Sequence, residues 1–412
     1  MYQNYHKHSC QSCRYQKDST TTYQQYFNYY KELNQQQIYS TVEHGWQGVY
    51  FRIYDDLEVF NKVNNSNIKF VFGTEAYWVK DKSDKNSPIH HIILLAKNDK
   101  GRKAINRAIY QSFNVEDGYF NYRNRMDMNL LLSLPSDDVF VTTACVAFWE
   151  KESVDDCVIR LNEHFKSFYL EVQAHNTDNQ KEVNTHILKL HEQYNIPLIA
   201  GTDSHAINEA QVKERADYLL SNGIKYDNTG IYYDLPTEEQ FKDRFIKQGV
   251  LTNEQITEAI QNTNDTLKFD DIILDRSLKV PVEIQYKDKT LEERNKIFEH
   301  LIATKWNETK ANEDYNKNKL HEYITEITNN VKEIEKCSMA DYFLDTYDIV
   351  KLACEKYKGQ VTPTGRGSAV SMYINKLLGF TKVDKINADV LMYAERFLTA
   401  TRVLESHTPP DI

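Results

Sequence analysis

Seven short apolar or alternating runs recur through the first 210 residues of the chain: QNYHKH, QIYSTVEH, IKFVFGTEAYW, HIILLAK, DVFVTTAC, SFYLEVQAH and IPLIAGTDSH. Each is about the length of a strand and rich in Ile, Val, Phe and Tyr, which suit a pleated, half-buried surface. Between several of them lie longer stretches with apolar residues at helical spacing, such as KGRKAINRAIYQSF and NTHILKLHEQYN. Strands that alternate with helices point to an α/β layer fold with a largely parallel sheet or barrel. Seven of them predict a closed, irregular seven-stranded barrel.

The runs share an ending. QIYSTV stops at Glu43 and His44, KFVFGT at Glu75, DVFVTTA at Cys145, and IPLIAGT at Asp203, Ser204 and His205. Polar side chains able to bind metal thus gather at the C-terminal ends of strands, where barrel enzymes build their sites. His91 departs from the pattern because it opens HIILLA. Either that strand runs against the others, or His91 reaches in from a loop.

Successive side chains of a strand point to opposite faces, so His6 and His8 share a face, as do Asp203 and His205. Any one of these histidines taken alone is more often a packed or surface residue. Two pairs, each ending a strand, favour a metal site. Imidazoles, carboxylates and a thiol together suit Zn²⁺, Mn²⁺ or Fe²⁺ better than Mg²⁺, which prefers oxygen and keeps its waters. Cys10 and Cys13 form a CxxC, but no second CxxC or paired histidine set completes a zinc ribbon. The run CQSCRYQKDS reads as an irregular loop rather than a redox-active helix start. These two cysteines are therefore expected to stay out of the metal site.

From about residue 271 the texture changes. LEERNKIFEHLIATKW, LHEYITEITNNVKEIEKC and MADYFLDTYDIVKLACEKY read as amphipathic helices, followed by the Gly-rich loop TPTGRGS and a further helix, AVSMYINKLLGF. The polar stretch around Pro281 separates two regions, 1–270 and 271–412. TPTGRGS is not a P-loop, since no GK[ST] ends it, yet its backbone N–H groups and the Ser368 hydroxyl could cradle a triphosphate. Charge agrees with that location. Residues 1–270 carry 29 Lys/Arg against 37 Asp/Glu, whereas 351–412 carry 9 against 6. The net charge of −10 argues against a basic coat for nucleic acid, and leaves the C-terminal end as the better phosphate site. MYQNYHKH is not a signal peptide, and no apolar run approaches the ~20 residues needed to cross a bilayer. Six scattered cysteines fit a reducing cytoplasm.

These motifs together resemble the N-terminal part of C-family bacterial replicative DNA polymerases, the DNA polymerase III alpha subunits, and are similar to phage-type versions. His6-x-His8, VEHG, GTEAYW, HHIILLAKN, TTAC and GTDSH resemble the successive motifs of the polymerase-and-histidinol-phosphatase (PHP) domain. YFLDTYDIV, TPTGRGSAVS, AERFLTATR and TPPDI resemble the opening of the polymerase palm. The resemblance implies a PHP-type α/β barrel over 1–270, followed over 271–412 by a mostly helical part of a nucleotidyltransferase-like palm.

It further implies the metal ligands His6, His8, His44, Glu75, His91, Cys145, Asp203 and His205. The family has one more ligand soon after HxH, and Asp18 is the candidate; Glu43 stands where an Asp is more usual. A complete set implies a metal-dependent phosphoesterase or 3′–5′ exonuclease. In the palm, Gly367 and Ser368 would contact a deoxynucleoside triphosphate, with Arg366 and Arg396 as further phosphate contacts, and Mg²⁺ would serve a completed palm. Asp411 matches the first Asp of the family's P-D-x-D motif, and the sequence stops at Ile412. Two-metal phosphoryl transfer needs at least two carboxylates, so these residues alone are expected not to polymerise DNA. A separate polypeptide supplying the remainder is one expectation. The competing readings are a stand-alone PHP phosphoesterase acting on a small phosphomonoester, and a non-catalytic scaffold for a separate palm. The expected setting is the cytoplasm, that of a host cell if the gene is phage-borne.

Overall fold

The fold was obtained as a computed structural model, which describes residues 2–12, 18–33, 36–149, 152–225, 228–362 and 367–411. The chain divides into two compact units, Met1–Ile273 and Leu274–Ile412. The first carries strands β1 (Ile38–Thr41), β2 (Lys69–Trp78), β3 (His90–Ala96), β4 (Phe120–Asn121), β5 (Arg123–Asn124), β6 (Val139–Thr142), β7 (Phe168–Gln173) and β8 (Leu198–Gly201). Six of them form one sheet in the order β1-β2-β3-β6-β7-β8, and β4 and β5 make a separate hairpin. β1–β2, β6–β7 and β7–β8 pair in parallel, whereas β3 is antiparallel to both neighbours. The reversed strand accounts for His91. Antiparallel pairing sets Tyr77 opposite His91, so the start of β3 lies beside the end of β2.

Among the described residues the sheet has six strands, not seven. QNYHKH is extended but makes only an isolated bridge, Lys7 to Ser204, just past β8. Toward β1 and the residues just before it, the contacts run through side chains. The Asn4 N–H donates to Gln36 Oε1, the Gln37 N–H donates to Gln3 Oε1, and the Lys7 ammonium donates to the Ser40 carbonyl at 2.8 Å. Polar side chains thus replace the ladder, and the segment fills the seam between the two sheet edges. Lys7 is wholly buried with its Nζ 4.5 Å from the centre of the Tyr39 ring, and burial pushes its amine down to about 7.

One apolar cluster shows the curl of the sheet. Ile38, Val71, Ile93, Leu95, Phe140 and Ile199 come from five strands, and Tyr5, Phe269 and the half-buried Tyr169 of β7 pack against them. Only a sheet wrapped on itself lets strands from both edges touch one core. Residues of the same parity further along, Glu75, His91 and Glu171, continue this inward face. Hydrocarbon therefore fills the floor and polar groups line the mouth. Helices cover the outside, among them α1 (Tyr23–Leu33), α2 (Tyr50–Asn64), α3 (Asp99–Ser112), α4 (Met128–Leu132), α5 (Asp155–His164), α6 (Asp178–Tyr194), α7 (Glu209–Ser221), α8 (Glu238–Gln248) and α9 (Asn253–Asn262). Several begin with side-chain caps, such as Thr237 and Thr252 in reciprocal capping boxes.

The second unit is helical among its described residues: α10 (Leu291–Ala311), α11 (Leu320–Lys336), α12 (Ala340–Tyr357), α13 (Tyr373–Leu377) and α14 (Ala400–Ser406). Its core joins Phe298, Ile302, Tyr323, Phe343, Tyr373 and Phe397. Buried Asp341 accepts two hydrogen bonds from Arg294 Nε, tying α12 to α10. The helix expected over AVSMYINKLLGF is shorter than its spacing suggests. A 3-10 turn (Ala369–Ser371) precedes the five residues of α13, because the Asn375 side chain bonds the Ala369 carbonyl and closes the turn early.

Phe140 stacks on Tyr169 at 4.7 Å and meets Phe269 edge-on at 5.5 Å. Phe140→Ala is expected to destabilise the first unit by about 3–5 kcal/mol, read by urea unfolding followed with near-UV circular dichroism. A loss below about 1 kcal/mol would show that the strands do not share this core.

Candidate metal centre

The mouth of the barrel brings together most of the side chains marked at strand ends. Glu75 is at its middle, fully buried. Its carboxylate lies 2.6 Å from His44 Nδ1, 3.2 Å from His8 Nε2, 3.1 Å from His91 Nδ1 and 3.7 Å from His6 Nε2. Cys145 Sγ, which follows β6, is 3.7 Å from the same carboxylate. Asp203 Oδ1 sits 3.3 Å from His6 Nε2, 3.1 Å from His8 Nε2 and 3.8 Å from His205 Nδ1. Asp18 closes the far side, 2.9 Å from His44 Nε2 and 3.7 Å from His205 Nε2.

Local backbone geometry aims several of these groups. His44 makes a parallel bridge to Glu75, so the chain leaving β1 stays in register beside β2. Asp203 adopts a left-handed backbone, φ 48°, a conformation that Asp tolerates better than most residues. Ala144 does the same at φ 49° just before Cys145. Gly201 has to lack a side chain, since a Cβ there would stand 2.1 Å from the Glu171 carboxyl carbon. The close approach lets Glu171 lie across β8 and reach His6.

The electrostatics are those of buried opposite charges. Burial alone would raise the carboxyl of Glu75 and of Asp203, but His91 and His44 around the first, and His6 and His8 around the second, hold both well below the usual range. Burial likewise opposes charge on His6 and His44, yet Glu171 and Asp203 raise His6, and Glu75 and Asp18 raise His44. His205 is lowered by burial, and the Cys145 thiol is pushed up by burial with Glu75 and Asp203 close by.

Three groups could each hold an ion, with ligand atoms within 4.8 Å of one another: His8, His44 and His205; His6, His8 and Asp203; and His44, Glu75 and His91. The donor atoms fit a metal. His6 Nε2, His8 Nε2, His44 Nδ1, Glu75 Oε2 and Asp203 Oδ1 are buried and face one another at ion-pair distance without a hydrogen bond of regular geometry. The opposite ring nitrogens are engaged: His6 Nδ1 lies 2.7 Å from Glu171, His8 Nδ1 2.7 Å from the Ser12 hydroxyl, and His205 Nδ1 2.9 Å from the Asp203 carbonyl. A second partner that fixes the ring while the other nitrogen faces an ion is the usual arrangement of metal-binding histidines. Buried polar atoms without a well-formed hydrogen bond would otherwise be costly.

Sequence reasoning missed Glu171 and Ser12. Glu171 was visible as a lone carboxylate inside the apolar run SFYLEVQAH, at the same parity as Tyr169 and Gln173. Ser12 carried no signal. Glu43 does not join the cluster; its carboxylate accepts from the Ser9 N–H and hydroxyl. The Cys10 N–H donates to the Thr21 carbonyl and its thiol belongs to none of the three groups, while Cys13 lies outside the described residues.

In the second unit, Gly367 has φ 71°, the Ser368 carbonyl accepts from Ser371, and Arg396 ends a 3-10 turn. Asp411 is exposed and follows Pro410, whose carbonyl accepts from Tyr342 OH at 2.6 Å. Arg366 lies outside the described residues. Among the described residues no hydrogen bond or ion pair joins Gly367, Ser368, Arg396 and Asp411, although the turn 369–371 after Ser368 lies beside the turn 394–396 that Arg396 ends.

Comparison with known proteins gives each unit a match. The PHP domain matches residues 4–175, and the bacterial DNA polymerase III alpha NTPase domain matches residues 299–412. The chain carries matches to a PHP domain and to a bacterial DNA polymerase III alpha NTPase domain, and is similar to DNA polymerase III alpha subunits. It is 26% identical to the DNA polymerase III subunit alpha of Aquifex aeolicus over 408 residues, 90% of this chain and 33% of that protein. The subunits of Chlamydia pneumoniae and Borreliella burgdorferi are each 24% identical, over 85% of this chain and 33% and 31% of theirs. The chain thus spans about a third of the length of the curated relatives it matches. No helix among the described residues is long and apolar enough to cross a membrane.

Zn²⁺ or Mn²⁺ is expected to raise the unfolding temperature of the chain, because ligands that bind only the folded state stabilise it. The double variant His6→Ala/His8→Ala should lose that rise, and Cys10→Ser/Cys13→Ser should keep it. Equal loss in the two would assign the ion to the wrong side chains.

Proposed function

We propose that the first unit is a metal-dependent phosphodiesterase that removes nucleotides from a 3′ DNA end, within the N-terminal portion of a replicative DNA polymerase. The observation that carries this reading is the convergence of buried imidazole and carboxylate atoms of His6, His8, His44, Glu75 and Asp203 that crowd one another without forming a regular hydrogen bond. Asp18, His91, Cys145 and His205 complete the donor set. When bound, Zn²⁺, Mn²⁺ or Fe²⁺ would supply Lewis acidity and a more acidic water at neutral pH. Glu171 holds the His6 ring from behind, and Ser12 does the same for His8, so both imidazoles are oriented before any ion arrives.

The match of residues 299–412 to the polymerase NTPase domain favours DNA as the substrate over a small phosphomonoester, which would have no use for that unit. In the second unit, Arg366, Gly367, Ser368 and Arg396 are the proposed contacts for the phosphates of a deoxynucleoside triphosphate, and Asp411 a proposed Mg²⁺ ligand. A polypeptide of these 412 residues, with Asp411 as the one palm carboxylate assigned, is expected not to extend a primer; a second polypeptide carrying the rest of the palm would be its natural complement. The proposed setting is the cytoplasm, where the template is.

With Mn²⁺ or Zn²⁺ supplied, the purified chain should release nucleotides slowly from the 3′ end of DNA. Asp203→Asn should abolish the release, since Asn keeps the left-handed backbone but removes the charge. Glu171→Gln should lower it by about 10–100-fold, the usual effect of removing a partner behind a metal-bound histidine. Release that survives Asp203→Asn, or no release with any divalent metal, would leave the domain with a structural role.

A further inference from the structure

The β4–β5 hairpin turns through a single residue. Phe120 pairs with Asn124 and Asn121 with Arg123, which leaves Tyr122 alone at the tip. Its backbone is left-handed, φ 59°, where Gly or Asn is favoured, and its side chain is 88% exposed. A large aromatic ring is thus held in water at a position that suits it poorly. Neither burial nor turn geometry explains a tyrosine there.

The hairpin is also fixed with unusual care. Arg125, at its base, is almost wholly buried and donates to the carbonyls of Lys82, Asp84, Tyr119 and Gly118. Phe120 stacks on Phe113. The Asn124 amide donates to the Gly45 carbonyl, next to His44. Gly45 has φ 72°, and a Cβ there would meet the Asn124 side chain at 2.8 Å, so the hairpin presses directly on the backbone that carries His44. Exposed Arg123 lies over the Tyr77 ring at 5.0 Å and donates to its hydroxyl at 2.9 Å. Tyr77 in turn stacks on His44 and meets His91 edge-on. A rigid arm therefore runs from the metal centre to an exposed guanidinium and, one residue on, an exposed ring.

We propose that Tyr122 and Arg123 form a docking platform for single-stranded DNA at the rim of the centre, the ring stacking on an unpaired base and the guanidinium meeting a phosphate. This rests on the reading of the first unit as a 3′-end phosphodiesterase, and names its substrate as an unpaired end. Stacking accepts any base, because every base has a π-face. With one arginine in a chain of net charge −10, the platform works by stacking more than by charge, and its salt dependence is shallow.

The test is anisotropy titration of the full chain with a 5′-labelled single strand of about 12 nucleotides, in EDTA so that nothing is cleaved. Tyr122→Gly is the informative variant, since it removes the ring and suits the left-handed backbone, so its fold is safe. It should weaken binding by about 5- to 100-fold, with Tyr122→Trp restoring it and a blunt duplex much less affected. Arg123→Ala should weaken binding and flatten the salt dependence further, while Tyr194→Ala, on an exposed tyrosine of α6, should change nothing. Unaltered single-strand binding by Tyr122→Gly, or equal loss on the blunt duplex, overturns the proposal. Hydrolysis of bis(p-nitrophenyl) phosphate separates the two readings. If the chain cleaves neither that diester nor DNA, yet Tyr122→Gly still weakens binding, the hydrolytic reading falls and the platform stands.

Discussion

A single buried carboxylate organises the first unit. Glu75 cannot stay ionised in the mouth of a barrel unless cations or hydrogen-bond donors surround it, since an uncompensated buried charge would shift its titration or unfold the protein. The chain meets that demand from four directions, with His8 from the extended N-terminal segment, His44 after β1, His91 at the start of β3 and Cys145 after β6. Each arrives only if its own element keeps register. The packing of the barrel and the chemistry of its mouth are therefore one problem.

The mouth was legible because its side chains sit where strands end. Alternation put His6 with His8 and Asp203 with His205, and the runs before them were apolar enough to be read as strands. Asp18 was the hardest to place, since it follows a loop without periodicity, and the contacts to His44 and His205 depend on long-range folding. Glu171 was not legible for a different reason. It lies inside a strand, and only the absence of a side chain at Gly201 opens the path to His6.

The fold was read one strand too many. QNYHKH has the composition of a strand, but pairing is a property of two chains, and its neighbours offer side chains in place of a ladder. The helical unit was clearer, because amphipathic spacing survives without partners over α10, α11 and α12. Its Gly-rich loop was visible as composition alone. Local sequence carries periodicity well and long-range assembly poorly.

The reversal of β3 reaches beyond the placement of His91. A parallel crossover would return the chain to the floor of the barrel before the next strand could begin. Running β3 backwards instead leaves the connection from Val79 to Ile89 at the mouth end. Lys82 and Asp84 belong to that connection, and their carbonyls are two of the acceptors that seat Arg125. One inverted strand thus places a connection, and through Arg125 the β4–β5 hairpin, at the mouth end of the sheet.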